Sequence, residues 1–136
     1  MTREGTPMNA PQNPREAYLA ATVATASPQQ LLVMLYERLA VDLQRASDAL
    51  RNGEPSKAHE PLLHAQEIVL ELNASLDVSA WDGASNLAAL YDYLHSELVK
   101  ANIGKNLRVT DFCLDIVSTL RDTWRDAALG LVAESA

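Results

Sequence analysis

The side chains best suited to chemistry in this 136-residue chain are His59, His64, His95 and a single Cys113. Glu60 lies four residues before His64, and Glu67 three residues after it, while His95 stands alone. Carboxylates and imidazoles at such spacings are the raw material of a di-iron centre. That centre needs Glu-x-x-His on two helices and a Glu on each of two others. No Glu-x-x-His occurs, so the three histidines are expected on the surface and no metal or cofactor is expected. Cys113 follows Phe112 on an apolar arc, which predicts a buried, unreactive thiol. There is no Gly-rich phosphate loop and no Gly-x-Ser-x-Gly elbow. The residues thus make no case for an enzyme, and a small metal-bundle oxidase is disfavoured.

The elements that would position these residues are helical. Leu and Ala supply 42 of the 65 apolar residues, and Val plus Ile only 12. The first pair favours helix and the second strand, so an all-β fold is excluded. One Cys excludes a disulfide scaffold and fits a reducing compartment. The net charge is −7, with no cluster of Lys or Arg, which speaks against nucleic acid. No secretory h-region and no span of ~20 apolar residues is present, so a cytoplasmic protein without membrane insertion is expected. The triplet Asn73-Ala74-Ser75 is then a chance glycosylation match.

Two parts are expected: a mobile arm over residues 1–14, holding Pro7, Pro11 and Pro14, and a helical domain over 15–136. A short helical segment is expected over 15–25. Helix one opens on Ser27-Pro28-Gln29-Gln30, a capping box with Pro at the first helical position. Its stripe is Leu31, Leu35, Leu39, Leu43, Ala46 and Leu50, stopped by Asn52-Gly53. Helix two is expected over 61–76 after an irregular turn at Pro55, with Leu62, Ala65, Val69, Leu72 and Leu76 inward. Asp82-Gly83 marks a linker over 77–85. Helix three is expected over 85–102 and ended by Gly104. Helix four, over 109–132, carries Val109, Phe112, Ile116, Leu120, Trp124, Ala127 and Leu131. Four amphipathic segments with short connections predict an all-α, antiparallel up-down four-helix bundle.

Some apolar residues exceed a single narrow stripe: Leu32, Val33, Met34, Leu63, Ile68, Leu70 and the pair Tyr91 and Tyr93. They either widen the core or line a groove for a partner helix.

A family resemblance now becomes specific. Ala17-Tyr18, Thr25-Ala26-Ser27-Pro28-Gln29-Gln30-Leu31 and Met34-Leu35-Tyr36 resemble the N-terminal signature of the flagellar secretion chaperone FliS. Ala65-Gln66-Glu67-Ile68-Val69, Glu71-Leu72-Asn73 and Ser75-Leu76-Asp77 are similar too, as are Asn86-Leu87, Leu90-Tyr91-Asp92-Tyr93-Leu94, Ala101-Asn102-Ile103 and Leu120-Arg121-Asp122-Thr123-Trp124. The matches keep their order over residues 17–124. The chain departs at Glu37-Arg38, where the family usually has Asp-Gly, and in the linker around Trp81-Asp82-Gly83. The resemblance implies a non-enzymatic bundle that binds the C-terminal segment of flagellin, stops early polymerisation and presents it to the flagellar type III export gate. It is expected to act as a monomer or weak homodimer. A helical adaptor or secretion chaperone for another client is the alternative. Candidate flagellin contacts are Leu32, Tyr36 and Leu39 on helix one and Asn86, Leu87, Leu90, Tyr91 and Leu94 on helix three. Leu87, Leu90 and Leu94 read equally well as core. Tyr18 and Leu19 are expected to fold over the same track and compete with the client.

Overall fold

The computed structural model describes Pro14 and residues 27–135. The expected arm, the short segment over 15–25, and Tyr18 and Leu19 within it fall outside the described residues, Pro14 excepted. Helix α1 spans Pro28–Arg51, α2 His59–Ser75, α3 Ala84–Gly104 and α4 Leu107–Ser135. A 3-10 turn, Pro55–Ala58, leads into α2. No strand occurs among the described residues.

Each helix starts and stops for a local reason. The Ser27 hydroxyl accepts the Gln30 amide at 3.2 Å, and the Ser27 amide donates to Gln30 Oε1 at 2.8 Å, completing the capping box. Ser27→Ala should cost about 1 kcal/mol, read as a lowered urea midpoint at unchanged slope. At the other end Gly53 takes φ 71°, the left-handed conformation that closes α1. Pro61 is the third residue of α2, where an amide has no intrahelical acceptor, so the helix starts before it rather than at it.

Two expectations are corrected. Gly104 is helical, and the left-handed residue is Lys105 at φ 47°. Its ammonium donates to the Asn102 carbonyl at 2.8 Å and to Asn102 Oδ1 at 2.6 Å, which ties the strained residue down. Helix α4 begins two residues early because Asn106 Oδ1 accepts the Val109 amide at 3.0 Å, a cap.

Packing closes the bundle. Helix α1 lies against α2 and α4, and α3 lies against the same two. Glu37 meets Arg125 and Ser47 meets Asp111, so α1 and α4 run antiparallel. The core holds Leu39, Leu43 and Ala46 of α1, Leu62, Ala65, Val69 and Leu72 of α2, and Leu94, Leu98 and Ala101 of α3. Helix α4 sits about one residue away from its expected rotation. Thr110, Cys113 and Val117 are buried, whereas Phe112 is 49% exposed. Ser47 donates to Asp111 at 2.5 Å and Thr110 donates to its own helix carbonyl at Asn106 at 2.8 Å. These bonds hide polar groups that a hydrophobic pattern would place outside.

Candidate functional site

One end of the bundle opens into an apolar groove of about 440 Å³. The Ser27 cap sets Pro28, Leu31, Leu32 and Leu35 on one wall. The last turn of α2 brings Leu72 and Leu76, and α3 brings Leu87 and Tyr91. Trp124 of α4 and Trp81 of the linker close the rim, ring centroids 6.4 Å apart and edge-to-face at 76°.

The linker holds Trp81 in place by two local devices. Asp77 Oδ1 accepts the Ser79 amide at 3.0 Å and the Ser79 hydroxyl at 2.7 Å, forming an Asx turn. These bonds hold the Asp77 carboxyl below its usual range. Gly83 then lets the indole lie across the backbone, since a Cβ there would stand 2.0 Å from the Trp81 ring.

Beneath the groove the hydroxyls of Tyr36 and Tyr91 hydrogen-bond to each other, both rings fully buried. Burial pushes both phenols above their ordinary value. Burial also pushes the Cys113 thiol up to about 12, so it is a poor nucleophile at neutral pH. All three groups bind protons more tightly in the folded chain. Their contribution is complete below the unfolded values near 9 and 10 and is lost as pH rises above them. Denaturation at stepped pH should show flat stability to pH ~9 and then a fall, with a slope of up to about 1.4 kcal/mol per pH unit for each group titrating. In Cys113→Ala the fall should start nearer pH ~10. A flat profile to pH ~11 would contradict the burial argument.

The sequence-chosen residues divide. Leu32 and Leu87 line the groove, and Tyr91, only 1% exposed, lies at its floor. Leu90 is half-buried against the core and Asn86 is exposed. Tyr36, Leu39 and Leu94 are wholly buried core, so they support the wall without presenting surface. Sequence reasoning missed Trp81 and placed Leu31, Leu35, Leu76 and Trp124 in the core stripes. The usable signal was that the chain's only two Trp, 81 and 124, lie far apart in sequence.

Of the histidines, His59 is exposed as expected, whereas His64 and His95 are half-buried. His64 is half-buried and its Nδ1 hydrogen-bonds Asp42, a carboxylate only 2% exposed that also lies 3.7 Å from Arg38 Nε. This link joins α1 to α2 and is structural, because a buried carboxylate must be paired. Among the described residues no three His, Cys, Asp or Glu come together as a metal site would require. No described helix is long and apolar enough to cross a membrane.

The described residues form a closed helical bundle with an apolar groove at one end. The comparisons with known proteins say which family the chain belongs to. A family model described as "Flagellar protein FliS" matches residues 11–130. The chain is similar to the flagellar secretion chaperone FliS of Bacillus subtilis, 36% identical over 85% of this chain and 86% of the relative. It is similar to the same chaperone of Salmonella typhimurium, 31% identical over 77% and 79%. A solved structure titled as a flagellar chaperone from bacteria shares the fold, with TM-score 0.69 and 18% identity over 87% of this chain and 99% of that one. The chain belongs to the flagellar secretion chaperone FliS family, which is a chaperone family and not an enzyme family.

Proposed function

We propose that this chain is a non-catalytic cytoplasmic chaperone that holds the C-terminal segment of flagellin in the Trp81–Trp124 groove. In this role it keeps flagellin from polymerising early and presents it to the flagellar type III export apparatus. The groove carries the reading: aliphatic walls with two tryptophans at the rim suit an apolar helical client. A disordered client loses roughly 2–5 kcal/mol or more in ordering, so it needs such a continuous apolar track. Pull-down of flagellin with and without its last ~50 residues, a helical length sufficient to wrap a small domain, tests it. Capture only of the full-length form is expected, and equal capture of the truncated form would overturn it.

The segment before Ser27 joins the chain beside Pro28, on the groove wall. We infer that Tyr18 and Leu19 compete there with the client and lower its apparent affinity by the fraction of chaperone left open. Deleting residues 1–19 should therefore tighten binding of a flagellin C-terminal peptide. Unchanged or weaker binding would end the idea.

A further inference from the structure

The charge that faces the groove has one sign. Among the described residues that line it, only Glu71 and Asp77 are charged, and both are carboxylates. They flank the C-terminus of α2, which ends at Ser75. A helix C-terminus carries roughly half an elementary negative charge, and a Lys, Arg or His in the last turn complements it. Helix α2 has no basic residue there. Neither Glu71 nor Asp77 meets a cation among the described residues, whose ion pairs all lie elsewhere on the bundle. The Asx turn with Ser79 favours the ionised form of Asp77. The same groove holds the indoles of Trp81 and Trp124, and indole is the aromatic ring that attracts cations most strongly.

We propose that the groove selects a client whose apolar face carries a Lys or Arg, and that this cation seats against the indoles and pairs with Glu71 and Asp77. The inference rests on the groove being the client's seat, and adds what the client must present there. The aliphatic stem of a Lys or Arg can lie along Leu72 and Leu76 and leave its charge at the rim. A client without a cation would cover the two carboxylates and leave them unpaired, at a cost in binding. A client with Asp or Glu at that position would meet like charge. Complementarity of this kind sets specificity more than raw affinity, so it is read as a preference between clients.

The probe is a labelled Leu/Gln amphipathic helix of ~18 residues with one Lys in its apolar face. Fluorescence anisotropy with the full chain compares it with the same helix carrying norleucine or Glu at that position. No flagellin is used, so the pull-down tests the flagellin reading and the ratio of peptide affinities tests this one. The Lys helix should bind about tenfold tighter than the norleucine helix, and the Glu helix weakest. The preference should shrink about threefold between ~50 and ~300 mM NaCl as screening sets in. Glu71→Gln with Asp77→Asn should bring the Lys and norleucine helices within about twofold, since Asn keeps the Asx turn and loses the charge. Glu67→Gln with Asp115→Asn makes the same change in net charge at exposed sites off the groove, and should keep the preference. A purely structural role for Glu71 and Asp77 would weaken both helices alike and leave their ratio unchanged. Equal binding of the Lys and norleucine helices, or the same ratio in the two double variants, would overturn the proposal. So would a preference that emerges only in Arg15→Ala, which would give the seat to the chain's own N-terminal segment.

Discussion

Tyr36→Phe is expected to destabilise the bundle by about 1–3 kcal/mol although it removes a single oxygen. The loss is not the hydrogen bond itself, which exchanges for water on unfolding. It arises because the Tyr91 hydroxyl stays behind, fully buried, with its partner gone. Tyr91→Phe should cost a similar amount for the mirror-image reason. The double variant should cost clearly less than the two singles added, since neither hydroxyl is then left to satisfy. Urea denaturation of the four proteins closes this cycle. Strictly additive losses would mean that the two hydroxyls do not depend on each other. Against a usual total of about 5–15 kcal/mol, each single variant is a large fraction of the stability. The pair also supports the groove, because Tyr91 is both part of its lining and one half of the buried bond.

Trp81→Ala is expected to weaken binding of the flagellin C-terminal peptide about 30–100-fold, or roughly 2–3 kcal/mol, while leaving the fold intact. The side chain is 48% exposed and sits on the rim, so its loss removes contact area for a client without opening the core. Aromatic residues at the edge of a pocket offer large apolar area for little lost rotamer entropy. Leu32→Glu should act at least as strongly by placing a carboxylate on the groove wall. Ile103→Glu is the control. Ile103 is 83% exposed at the opposite end of the bundle, and its replacement should leave affinity unchanged. Intrinsic fluorescence can read the titration, because both tryptophans of the chain lie on the groove. Equal weakening by Ile103→Glu, or none by Trp81→Ala, would place the client elsewhere.

The family rests on scattered short motifs, and those motifs are legible because they mix local and global roles. Ser27-Pro28-Gln29-Gln30 is a helix start in any context, and the structure uses it as one. The stripe Leu62, Ala65, Val69, Leu72 is buried in the order its spacing predicts. Phe112 shows where the pattern misleads. Its apolar ring fits a stripe beginning at Val109, but that stripe ignores Thr110, whose hydroxyl is satisfied within its own helix. Once Thr110 counts as inward, Cys113 and Val117 follow at helical spacing and Phe112 turns outward.

Secondary structure, the up-down order and the burial of Cys113 follow from the sequence alone. Propensity, capping and hydrophobic period act between residues close in the chain, so they can be read along it. The groove could not be read that way. Leu31 and Leu35 have the spacing of core residues, yet with Trp81 and Trp124 they line an opening, because among the described residues none of another helix fills the space before them. Likewise Asp42 and His64, 22 residues apart, become partners only when α1 lies against α2. Which apolar side chain is core and which is surface, and which charge is paired, depends on the neighbouring helix, and that neighbour is supplied by packing.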